Sequence, residues 1–73
     1  MGHVREVEID DDMIRLGQFL KLAGVVDAGA DVKLLLAEGE VRVNGQPETR
    51  RGRQLVHDDV VQIGTEKLRV RTP

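Results

Sequence analysis

Apolar residues recur at two different periods along the chain, and the change of period divides it. "MIRLGQFLKLAG" (13–24) places Leu16, Phe19 and Leu20 at i, i+3 and i+4, the stripe that one face of an α-helix presents. Arg15, Gln18 and Lys21 fall off that stripe, and Gly24 supplies a C-terminal stop. Asp10, Asp11 and Asp12 come just before it, as candidate N-caps and as negative charge for the positive end of the helix dipole. "VVDAGADVKLLLAEG" (25–39) repeats the spacing with Val32, Leu35 and Leu36. Asp27 is its candidate N-cap, Val25 or Val26 a hydrophobic staple, and Gly39 a left-handed C-terminal stop. Two short helices with a tight joint predict a helical hairpin or a helix-turn-helix-like corner.

Elsewhere the period is two. "VEI" (7–9) is a short strand signal ahead of the helices. After them, "EVRV" points Val41 and Val43 one way and Arg42 the other. Asn44-Gly45 is a strong hairpin signal, because a type I′ turn needs positive φ at both central residues. Pro47 cannot donate to a ladder, so the returning segment is an edge or irregular. "VVQI" (60–63) is another strand, Gly64-Thr65 another turn, and "KLRVR" (67–71) alternates Leu68 and Val70 with three cations. The predicted order is β-α-α followed by at least three strands, a small α+β domain. Residues 1–12 form an acidic lead-in containing the first strand, and 13–73 the body of a single domain.

Composition narrows the function. Seventy-three residues make one domain with a thin core, burying only about 60% of the unfolded surface. No cysteine means no disulfide and no cysteine-based zinc site, which fits a reducing cytoplasm. No apolar run approaches the roughly 20 residues that span a bilayer, and the acidic N-terminus lacks the apolar segment of a signal peptide. His3 receives no weight. One Phe and no Trp or Tyr argue against a nucleic-acid reader built on stacked aromatics. The net charge of −2 argues against a strong general polyanion binder, yet it hides a gradient. Residues 1–12 hold five acids and one arginine; residues 13–57 hold seven bases and five acids. Arg50, Arg51 and Arg53 concentrate the positive charge in "TRRGR".

No catalytic constellation is present. His57 beside Asp58 and Asp59 resembles a metal or acid–base group only on paper, since consecutive strand residues face opposite ways; a polar turn is the simpler reading. Asp10–Asp12 are explained by helix capping without a cation, and the residues around Gly29 and Ala30 form no phosphate-binding loop. The expectation is a protein that is not an enzyme and takes no metal or cofactor. Binding remains. Arginine offers a planar fork to phosphate oxygens, and "TRRGR" places three forks in five residues, with Gly52 letting the backbone turn. Arg15, Lys21, Lys33 and Arg42 would join them in one patch if the helices pack on the sheet. For Arg15 and Lys33 the competing reading is ordinary helix solubility or pairing with Asp31 and nearby acids. For the whole chain the competing reading is a protein–protein adaptor, suggested by the negative net charge and acidic N-terminus.

The order of motifs, "LGQFLKLAG", "AEGEVRVNG" and "ETRRGRQL", resembles the S4 RNA-binding domain over residues 14–63, and most of all the small stand-alone bacterial S4-like proteins. The resemblance implies the S4-like (alpha-L) fold, two short helices on a small bent antiparallel β-sheet. It implies binding to structured RNA of the ribosomal or transfer RNA class, in some cases on the ribosome; the expectation for the chain is a cytoplasmic monomer. By position it assigns RNA contacts to Arg15, Lys21, Lys33, Arg42, Arg50, Arg51 and Arg53, and a structural turn to Asn44 and Gly45. The chain departs from the family pattern at Asp31, at Val32 in place of a small alanine, at Gln54 in place of a base, and at Asp58 in place of a turn glycine.

Overall fold

The computed structural model describes residues 4–73; His3 lies outside them. Among the described residues nine elements follow one another: β1 (Val4–Glu8), β2 (Met13–Arg15), α1 (Leu16–Leu22), α2 (Gly29–Ala37), β3 (Val41–Val43), β4 (Gln46–Pro47), β5 (Gln54–Val56), β6 (Val60–Ile63) and β7 (Glu66–Arg71). Five strands form one sheet in the order β1-β7-β6-β3-β4, and β2 pairs with β5 in a separate two-stranded ladder. The class is α+β, as the periods predict. The large sheet is mixed, however, because β1 runs parallel to β7 in the register Val7↔Val70, while its other pairs are antiparallel. A parallel pair needs a long crossover, and here everything between β1 and β7 serves as one.

Alternation places one face of that sheet in the core. Val7, Val41, Val43, Val61, Leu68 and Val70 are buried and pack with Leu16, Phe19 and Leu20 of α1 and Val32 and Leu36 of α2. The stripes read from the helical spacing are thus the core faces, with Leu35 only partly buried. Burying a Leu, Val or Phe side chain is worth roughly 1.5–3 kcal/mol, so this single cluster supplies most of the drive to fold.

The helix starts differ from the expected ones. Residues 13–15 are strand, in the register Met13↔Val56, Ile14↔Leu55 and Arg15↔Gln54, and α1 begins at Leu16 with Arg15 as its N-cap. Gln18 Oε1 accepts the Arg15 N–H at 3.4 Å. The three aspartates lie in a bend ahead of β2 and do not cap α1. The strand wins because β5 offers it a ladder. Similarly, α2 begins at Gly29 behind Ala28, so Asp27 is not its cap. The stops fall where expected: Gly24 and Gly39 follow the two helices with φ of +77° and +74°. Asn44 (φ +52°) and Gly45 (φ +85°) form the predicted turn, and Pro47 sits in the edge strand β4. Asp58, in the turn ahead of β6, is left-handed at φ +72°.

Candidate nucleic-acid interface

Loop 48–53 leads from β4 to β5, and each of its ends is fixed by backbone. The Glu48 N–H donates to the Val41 carbonyl at 3.0 Å, prolonging the β3–β4 pairing. At the far end the Leu16 N–H donates to the Arg53 carbonyl at 2.8 Å and the Gly17 N–H to the Arg51 carbonyl at 2.9 Å. The first amides of α1, which have no partner within their own helix, are therefore satisfied by the arginine loop. The fit is close but does not itself demand glycine: a Cβ at Gly17 would lie 3.5 Å from Arg51 Cβ, from the Arg51 carbonyl oxygen and from Val32 Cγ1, ordinary van der Waals contact. The Arg53 N–H closes a turn onto the Arg50 carbonyl at 3.2 Å. Gly52 is not among the residues of positive φ, so the loop turns without the glycine conformation expected of it.

One side chain organises the loop from within. Glu48 is only 7% exposed, the one buried charged residue among those described. Oε2 accepts the backbone N–H groups of Thr49 and Arg50 and Nε of Arg50, each at 3.1 Å. Oε1 accepts Arg50 Nη2 at 3.2 Å and Arg53 Nη1 at 2.8 Å. The Arg50 hydrogen bond, helped by Arg53 and opposed by burial, holds the carboxyl down at about 2 from an ordinary 4.5. The same contact raises the Arg50 guanidinium above its usual value. Glu48 was not singled out in the sequence. Its signal was an acid two residues before one arginine and five before another in a polar loop.

The seven expected contact residues are divided by this arrangement. Arg15, Lys21 and Arg51 line an open groove of about 260 Å³ together with Gly17, Gln18 and Val32. Arg51 also lines a neighbouring hollow of about 370 Å³ with Lys33, Leu36, Ala37 and Thr49. Four cations thus converge around the two helices with Arg51 in the middle. Among the described residues none of the four is in an ion pair. Asp31 lines neither hollow; it lies in the first turn of α2, where a negative charge favours the helix dipole. Arg50 and Arg53 turn to Glu48 instead and border a third hollow with Gly52 and Gln54. Arg42 is apart from the rest. Val41 and Val43 point into the core, so Arg42 lies on the sheet face away from the helices, in register with Gln62. The single patch that sequence spacing allowed is therefore two surfaces.

Asn44 does more than form a turn. Its Nδ2 donates to Asp59 Oδ1 at 3.0 Å and its Oδ1 accepts the Val60 N–H at 2.9 Å, joining the β3–β4 turn to the segment before β6. His57 Nδ1 accepts the Thr72 N–H at 3.1 Å, in a polar turn as expected. No group of three or more metal-ligating side chains occurs among the described residues.

The fold now has a counterpart among known proteins. The family model of the S4 domain matches residues 7–71. This chain belongs to the S4 domain family. "Probable ribosome maturation protein RlbA" from Bacillus subtilis (strain 168) is 54% identical to it over 57 residues, 78% of this chain and 80% of that protein. "Putative RNA-binding protein YbcJ" from Escherichia coli (strain K12) is 35% identical over 57 residues, 78% of this chain and 81% of its own length. Among solved structures, the 30S ribosomal protein S4e from Thermoplasma acidophilum matches with a TM-score of 0.61 at 25% identity. That match covers 81% of this chain and 31% of the ribosomal protein, about a third of its length. The S4 fold read from the motif order is thus the fold observed.

Proposed function

We propose that this protein binds structured RNA of the ribosomal or transfer RNA class through phosphate contacts, and that it catalyses no reaction. The observation that carries the reading is the convergence of Arg15, Lys21, Lys33 and Arg51 on two adjoining hollows with no carboxylate partner among the described residues. The end of β2, the two helices and loop 48–53 bring these arginine and lysine side chains to one region, where they can meet the phosphates that a folded RNA holds in a definite arrangement. With one Phe and no Tyr or Trp, base stacking contributes little, so recognition rests on RNA shape. The names of the relatives, one for ribosome maturation and one for RNA binding, support the same reading. So does the ribosomal protein among the structural neighbours, and together they favour a cytoplasmic protein that meets its RNA on or near the ribosome. No helix among the described residues is long and apolar enough to cross a membrane.

The test is titration of the protein against purified ribosomal RNA and unfractionated transfer RNA at several salt concentrations. About four neutralised phosphates give a slope of log K against log salt of roughly −3. Reversing Lys33 and Arg51 to glutamate should abolish binding. An affinity that ignores salt, or that survives this reversal, overturns the reading and favours a protein–protein adaptor.

A further inference from the structure

Three arginines sit within four residues of loop 48–53, yet the structure gives them different partners. Arg50 approaches Glu48 with two nitrogens, Nε to Oε2 at 3.1 Å and Nη2 to Oε1 at 3.2 Å. Arg53 adds Nη1 at 2.8 Å, and its side chain is 35% exposed. Arg51, between them, makes no hydrogen bond or ion pair with Glu48 and lines the hollows beside the helices. Resting on the RNA-binding reading above, we propose that Glu48 is the positioning residue of the site: it withdraws Arg50 and Arg53 from phosphate binding and fixes the loop so that Arg51 enters the groove.

The argument is one of competition and geometry. A phosphate that recruited the Nε–Nη2 edge of Arg50, or Nη1 of Arg53, would have to take it from a carboxylate buried at 7% exposure, even though the Arg50 side chain as a whole is 72% exposed. That exchange leaves a buried negative charge short of its partners, which is costly. The two backbone N–H groups on Oε2 cannot leave with the arginines, because they belong to Thr49 and Arg50 in the loop itself. With the loop pinned at Glu48 on one side, and with the Arg51 carbonyl held by Gly17 on the other, the Arg51 backbone is fixed and its side chain starts in the direction of the groove. It is the direction that meets Lys33 on one flank and Arg15 and Lys21 on the other.

Net charge alone makes the opposite forecast, and this makes the inference testable. Neutralising an acid in a basic loop should tighten RNA binding if Glu48 merely subtracts from the local charge. If it positions Arg51, the same change should weaken binding. In the full chain, Glu48→Gln is expected to lower affinity for purified ribosomal RNA about tenfold, measured well below its unfolding midpoint, with restoration towards wild type in Glu48→Asp. Arg51→Gln should make the salt slope shallower by about one. Arg50→Gln and Arg53→Gln should lower the unfolding midpoint and leave that slope unchanged. Tighter binding by Glu48→Gln, or equal loss of slope for Arg50→Gln and Arg51→Gln, overturns the proposal.

A second measurement does not depend on RNA or on variants that fold. In the free wild-type protein the Arg50 Nε–H resonance should be shifted and slow to exchange, and the Arg51 Nε–H should not. An averaged, rapidly exchanging Arg50 Nε–H overturns the clamp even where RNA binds. A protected Arg50 in a protein that binds no RNA retains the clamp as architecture, overturning its role in RNA binding together with the function it rests on.

Discussion

Loop 48–53 and loop 57–59 are each gathered by one carboxylate, in opposite surroundings. Glu48 is buried and takes two guanidinium groups and two backbone amides. Asp59 is half-buried and takes neutral donors only, the Val56 N–H at 2.9 Å and the Asn44 side-chain amide at 3.0 Å. The first acid uses charge to sort three neighbouring arginines into two that brace the loop and one that faces the groove. The second sets turn geometry on a part of the molecule that lines none of the cationic hollows. An acid in a basic segment is therefore not simply a loss of positive charge. Its effect depends on whether it is buried and on which cations it holds.

The comparison is broken most sharply by removing each acid. Glu48→Ala is expected to cost about 3 kcal/mol of stability in urea unfolding, since charge-assisted hydrogen bonds are lost around a buried site. Asp59→Ala should cost about 1–1.5 kcal/mol, the range of ordinary neutral hydrogen bonds. Equal losses would remove the distinction.

Acid sharpens it next. The Glu48 carboxyl lies at about 2 in the folded protein against an ordinary 4.5. A depressed folded value contributes stability that is complete above about 4.5 and is lost as the pH falls from there towards about 2. The stability gap between wild type and Glu48→Gln should therefore be constant near neutrality and close through that window. A gap that persists at the acid end would show that the carboxylate charge is not what holds the loop.

Smaller effects follow at the other loop and on the far face of the sheet. Asp58 adopts φ +72°, a conformation that glycine reaches without the Cβ penalty. Asp58→Gly should raise stability by about 0.5 kcal/mol, because relief of that penalty exceeds the entropy glycine adds to the unfolded chain. A loss instead would mean that the exposed contact of Asp58 with His57, at 3.4 Å, matters more. Arg42→Gln should change RNA affinity less than twofold, since Arg42 lies on the face of the sheet away from the helices. A loss as large as that of Arg51→Gln would make both faces part of one interface.

Several local features were legible in the sequence for definite reasons. Leu16, Phe19 and Leu20 share a helical face whatever they pack against, and Asn44-Gly45 and Gly39 answer to local backbone sterics. The misread starts had the opposite character. Met13–Arg15 continues the helical pattern, yet it is strand because β5, some forty residues later, pairs with it. Strand β5 itself is three residues long and carries one buried side chain, Leu55, too little for a period to show. The direction of β1 was equally hidden, since alternation states which side chains face inward and not whether the neighbouring strand is parallel.

The candidate site divides in the same way. The sequence determined that cations concentrate in residues 13–57, that aromatic stacking is absent and that the chain carries the S4 motif order. These follow from composition and short spacing. Only the tertiary structure decided which cations meet. It joined Arg51 to Arg15, Lys21 and Lys33, tied Arg50 and Arg53 to Glu48, and put Arg42 on the other side of the sheet. The physical reason is that a charge acts through its neighbours in space. Those neighbours are chosen here by a buried carboxylate and by the closing of α1 onto the loop, neither of which a count of charges along the chain contains.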